Sequence, residues 1–117
     1  MRAIFVYGLL KPGFSLHHLV APFVVRSSDG STHGRLYDAG VPAARFDHDG
    51  DIAGVVFWLD GGRLDEALRI LDDLEDEGEE YRRVVVDVET GDGVVQAFAY
   101  EYLKPLDRSR DVGSSWE

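Results

Sequence analysis

Of the 22 acidic side chains in this sequence, Glu75 stands where a carboxylate is least welcome. Leu64, Ala67, Leu68, Leu71 and Leu74 recur at helical spacing, with acidic residues filling the other side. With Leu64 set at zero and about 100° per residue, Leu68 falls at about 40°, Leu71 at about −20° and Glu75 at about 20°. Glu75 thus continues the apolar stripe, while Asp72 and Asp73 turn away as ordinary solvated charges. A carboxyl drawn out of water keeps its proton to higher pH, towards the range in which it can accept and return a proton near neutrality. The helix ends close to Glu75, and one turn of fraying would return the group to solvent, so the helix alone leaves both readings open.

A second pattern is Tyr7-Gly8-Leu9-Leu10, where the chain leaves an apolar run, Ala3 to Tyr7, through a glycine. Such an exit frees backbone N–H groups from any sheet partner, and those can cradle a carboxylate or an oxyanion. Taken singly it is only a turn. Other chemistries find little footing. There is no cysteine and no G-x-S-x-G elbow, so neither a thiolate nor a serine nucleophile is expected. Asp47 to Asp51 is similar to a calcium loop, but its glycine stands too early and Trp58 occupies the place of the closing glutamate, so it reads as a turn. His17, His18, His33 and His48 show no i, i+4 pairing, and neither metal nor cofactor is expected. The acidic run from Asp72 to Glu80 reads as a solvated charge face.

The elements that must position these groups follow from pattern. A length of 117 residues suits one domain, residues 1–117, with one core. Hydrophobic residues at 44% and charged residues at 29% suit a folded chain. A formal charge of −10 disfavours nucleic-acid and membrane partners. No leader or spanning segment is evident, so the cytoplasm is the expected location; the oligomeric state is left open. Residues 3–7 predict a strand buried on both faces. Leu9 to Leu19 predicts a loop and a short helix capped by Ser15. Residues 23–25 and 34–37 predict short strands around a polar turn at Ser27 to Ser31, and Val41 to Ala44 an extended connector. Gly54 to Leu59 is a further strand, and Leu64 opens the main helix. Arg83 to Val88 and Val94 to Tyr102 form a hairpin around Gly91-Asp92-Gly93. The polar tail, residues 103–117, is expected to be loose. Strands without βαβ alternation give an α+β class.

In combination these segments resemble the γ-glutamylcyclotransferase-like family. Phe5-Val6-Tyr7-Gly8-Leu9-Leu10 is similar to its Tyr-Gly-Ser/Thr-Leu signature, Gly34-Arg35-Leu36-Tyr37 and Val41-Pro42-Ala43 to its Gly-x-Leu-Tyr and Pro-Ala elements, and Gly54-Val55-Val56-Phe57 to the strand that follows. Leu71-Asp72-Asp73-Leu74-Glu75, then Tyr81-Arg82-Arg83, resembles its Leu-Asp-x-Leu-Glu and Tyr-x-Arg block. The resemblance implies a small mixed β-barrel with flanking helices, Glu75 as catalytic acid/base, and a γ-glutamyl amine or γ-glutamyl amino acid as small-molecule substrate, cyclised to 5-oxoproline without a cofactor. It further implies substrate contacts from Tyr7, Gly8, Leu9, Leu10 and Tyr100. For each tyrosine alone, a core position with a satisfied hydroxyl is the plainer reading, and Arg83 is expected to pair with an acidic neighbour. Leu9 stands where the family has Ser or Thr. A second reading keeps the pocket but makes the protein a binder of a small anionic metabolite.

Overall fold

The first apolar run is buried on both faces because each face meets a different core. In a computed structural model, which describes residues 1–117, β1 (Ala3–Val6) sends Ile4 and Val6 into one cluster, and Ala3 and Phe5, with Tyr7 just beyond, into another. The first cluster joins the sheet to the main helix through Ala67, Leu68 and Leu71; the second brings Leu36, Ile52, Val56, Val88 and Ala97 together.

The remaining elements are α1 (His17–Val20), β2 (Val24–His33), β3 (Arg35–Asp38), β4 (Pro42–Arg45), β5 (Asp51–Leu59), α2 (Leu64–Leu74), β6 (Tyr81–Thr90), β7 (Gly93–Tyr102) and β8 (Arg110–Gly113). Five strands close a barrel in the order β1-β5-β2-β6-β7, and a separate sheet runs β4-β3-β8. β1 is antiparallel to β5 and parallel to β7, where Ile4 lies opposite Phe98. The barrel and helices give the α+β class expected from the strand pattern.

Four local expectations are corrected. Ser27 to Ser31 is not a turn but the middle of β2, paired to β5 on one side and to β6 through Gly30 and Ser31 on the other. Backbone pairing makes this a strand, in which Ser27 and Asp29 are exposed while Ser28, Gly30 and Ser31 are half-buried. Val41 to Ala44 is more than a connector, since β4 opens at Pro42, an edge position a proline tolerates. The short helix α1 begins after Leu16 and takes no side-chain cap, so Ser15 does not serve as one. The tail is not loose. β8 pairs with β3, Ala53 N–H donates to the Ser114 carbonyl at 2.7 Å, and Lys11 Nζ donates to the Trp116 carbonyl at 2.7 Å. Backbone pairing, the lysine contact, the Arg35–Asp111 ion pair and the packing of Leu106, Val112 and Trp116 against the two cores hold a segment whose composition is mostly polar.

The α2 helix ends in a defined way. Asp76 N–H bonds the Asp73 carbonyl at 3.3 Å and Glu77 N–H the Asp72 carbonyl at 3.0 Å, with Asp76 left-handed at φ 50°. This is the Schellman arrangement, built on an aspartate instead of the usual glycine. Glu75 is the C-cap, and its N–H still reaches the Leu71 carbonyl at 2.9 Å. The fraying that would have carried Glu75 into water is thereby opposed.

Candidate active site

Glu75 opens onto a cavity of about 150 Å³ at the end of β1. Tyr7, Gly8, Leu9, Leu10 and Tyr100 line the same cavity, so the six residues expected at the site lie around one space. The wall is mostly apolar, completed by Leu16 from the loop before α1, by Val41 and Pro42 at the start of β4, and by Leu74 and Tyr81 from the far side.

Gly8 is required here by proximity. A Cβ at this position would lie 2.7 Å from both Cβ and Cγ of Pro42, so the absent side chain is what lets the two walls meet. Its carbonyl accepts from Lys11 N–H at 3.1 Å, and that of Leu9 accepts from Leu16 N–H at 3.0 Å, whereas the N–H groups of Gly8, Leu9 and Leu10 donate to no backbone carbonyl. Three successive residues on the cavity wall thus carry backbone donors with no backbone acceptor. Leu9 adds hydrocarbon where the family signature carries a hydroxyl.

The three tyrosines around the cavity spend their hydroxyls elsewhere. Tyr7 donates to the Tyr100 carbonyl at 2.6 Å, Tyr81 to the Pro42 carbonyl at 2.5 Å, and Tyr100 to Asp72 Oδ1 at 2.6 Å. They contribute ring walls to the cavity and no donor to Glu75. Burial pushes all three phenols up, and the Glu75 charge adds to the effect at Tyr7 and Tyr81. Replacing Tyr7 by Phe is expected to lower stability by about 1 kcal/mol, the net worth of a buried hydrogen bond, as read from a urea midpoint.

Glu75 accepts no side-chain hydrogen bond and pairs with no cation, and it holds its proton unusually well. Burial, and secondly the negative charge of Glu80, raise its pKa from the ordinary 4.5 to about 7. The folded chain therefore carries a proton here that the unfolded chain has lost between those two values. That contribution to stability is fully present below about pH 4.5 and is lost as pH rises through about 7. Relative to Glu75→Gln, the wild type should lose on the order of 2–3 kcal/mol of unfolding free energy between about pH 4 and about pH 8. Urea titrations of both proteins across that range check this.

Asp72 corrects the helical-wheel reading. It does not turn away into solvent but accepts from both Tyr100 and, at 2.8 Å, Arg83 Nη1. Arg83 and Tyr100 are direct cross-strand partners, so both side chains reach the flank of α2 from one face of the hairpin. Arg83 thus has the acidic partner expected for it. Sequence reasoning missed Glu80 as a cavity residue, because nothing distinguishes it within the acidic loop that contains it.

The comparisons with known proteins follow the geometry. The gamma-glutamyl cyclotransferase, AIG2-like family model matches residues 4–117, and the chain belongs to that family. It is similar in structure to YkqA from Bacillus subtilis, with 29% identity and a TM-score of 0.77 over 97% of this chain and 39% of that one. It thus spans about two fifths of the length of YkqA. An AIG2-like protein from Mus musculus aligns over 100% of this chain and 88% of its own, with a TM-score of 0.79 and 24% identity, a likeness of fold. PH0828 from Pyrococcus horikoshii aligns at 26% identity and a TM-score of 0.71, over 97% of this chain and 86% of its own. No curated protein matches the chain in sequence.

Proposed function

We propose that this protein is a cyclotransferase that releases 5-oxoproline from a γ-glutamyl amine or γ-glutamyl amino acid, with Glu75 as its acid/base. The observation that carries the reading is a carboxyl with a pKa of about 7 facing an apolar cavity beside three free backbone N–H groups. Family membership supports the choice of reaction class.

The chemistry asks for no enzyme nucleophile, because the substrate's α-amine attacks its own γ-carbonyl carbon. From ammonium to lactam nitrogen, the attacking nitrogen gives up two protons; from amide to free ammonium, the leaving nitrogen gains two. One carboxyl cycling between its two protonation states can serve both transfers, and a pKa near neutrality makes each direction accessible. The Gly8 to Leu10 N–H groups would hold the substrate carboxylate or the oxyanion formed when the amine adds. Walls that enforce a folded glutamyl chain would raise the effective concentration of the amine to about 10⁵ M or more. Release of 5-oxoproline from a panel of γ-glutamyl amines and γ-glutamyl dipeptides tests the reading, and a panel that yields none at any pH from about 6 to about 9 would refute it.

A further inference from the structure

Resting on the cyclotransferase reading of this cavity, we infer that Glu80 is a positioning residue that anchors the substrate's α-ammonium beside Glu75. Two carboxylates, Glu75 and Glu80, face the cavity, and no lysine, arginine or histidine does. The other titratable groups facing Glu75 are the phenols of Tyr7, Tyr81 and Tyr100, all hydrogen-bonded to other acceptors. A glutamyl head group brings an ammonium and a carboxylate together. The free N–H groups of Gly8 to Leu10 suit the carboxylate, and the ammonium needs an anion that does not take its proton. Glu75 cannot fill both roles, since its part is to remove that proton.

Glu80 is built to stay in place. Its N–H donates to the Asp76 carbonyl at 3.0 Å, and its own carbonyl accepts from Leu103 N–H at 2.9 Å. Its loop neighbours Asp76, Glu77 and Glu79 are exposed, and Glu77 Oε2 accepts from Arg83 N–H at 3.1 Å. Glu80 alone in this run is half-buried on the cavity wall. Its charge also gives the site a logic of occupancy. In the empty cavity Glu80 favours the protonated form of Glu75; an ammonium beside both carboxylates offsets that repulsion and frees Glu75 to act as a base. Ammonium binding and Glu75 ionisation then favour each other reciprocally.

Two ligands that cannot cyclise separate this role from catalysis. L-norvaline carries the ammonium and carboxylate without a γ-carbonyl, and pentanoate lacks the ammonium. Calorimetry on the intact protein is expected to show Glu80→Gln weakening norvaline roughly tenfold to hundredfold, as for loss of a charge-assisted hydrogen bond, with pentanoate unchanged or tighter. Glu80→Asp should recover part of the loss, which guards against a Gln variant that fails to fold. In wild type, norvaline should also lower the midpoint of the Glu75 carboxyl ¹³C titration, and in Glu80→Gln it should not. Equal norvaline binding by wild type and both variants, parallel losses for pentanoate, or no norvaline binding by wild type overturns the assignment. Norvaline binding that depends on Glu80 in a protein releasing no 5-oxoproline would refute the cyclotransferase reading and leave the anchor standing. Turnover with norvaline binding indifferent to Glu80 would do the reverse.

Discussion

Replacing Glu75 by Gln is expected to stop 5-oxoproline release while leaving the protein folded. Gln preserves the shape of the side chain and removes its ability to carry a proton. Positioned acid–base groups contribute roughly 10²- to 10⁴-fold, and here one carboxyl would serve both the attacking and the leaving nitrogen, so the loss should lie near the upper end. Folding should survive, because no salt bridge or side-chain hydrogen bond depends on this carboxylate and its charge opposes burial. Glu75→Asp keeps the chemistry but draws the carboxyl back by one methylene, and a misplacement of that size costs about 10²-fold. Chromatographic assay of 5-oxoproline, with circular dichroism of each variant, checks both. A Gln variant working within about tenfold of wild type would remove Glu75 from the mechanism.

The largest loss of stability is expected from Gly54→Ala. Gly54 lies where β5 passes β1, and an added Cβ would overlap the Val6 carbonyl oxygen and come within 2.7 Å of Phe5 Cζ. The first obstacle is backbone and cannot swing aside, and Phe5 is itself packed in the core. Overpacking of this kind costs about 3 kcal/mol, a large share of a small domain's stability. Because Val6 and Tyr7 also wall the cavity, displacement of β1 should reduce turnover below the melting transition as well. Gly91→Ala, with no atom within 4 Å of the added methyl, serves as the control and should be nearly neutral. Denaturant midpoints at constant m-value decide the comparison.

Glu75 was legible because two independent signals, helical periodicity and the Leu-Asp-x-Leu-Glu block, fell on one residue. Neither signal shows what holds it there, which is an αL aspartate at position 76, a residue that reads as loop composition. The barrel was legible where strands are apolar, as in β1, β5 and the β6–β7 hairpin. It was hidden where strands are polar, as in β2 and β8, since a backbone ladder leaves no mark on side-chain hydropathy. Asp72 was misread for a different reason. An angle on a helical wheel places a Cβ, and it takes the reach of Tyr100 and Arg83 from a facing hairpin to decide whether that position is wet. Glu80 had no signal at all, because its distinction from Glu79 is one of orientation.

The parallel pairing of β1 with β7 governs when the chain can assemble its cavity. Residue 4 meets residue 98, and the Tyr7 hydroxyl closes on the carbonyl of residue 100, so the seam beside the cavity joins segments more than 90 positions apart. Contacts of such span form late, after the entropy of closing the intervening loop has been met. A chain emerging from the ribosome has no pocket until Tyr100 has cleared the exit. Under the proposed reading, turnover would report completed folding: refolding followed by 5-oxoproline release should lag behind refolding followed by helix signal.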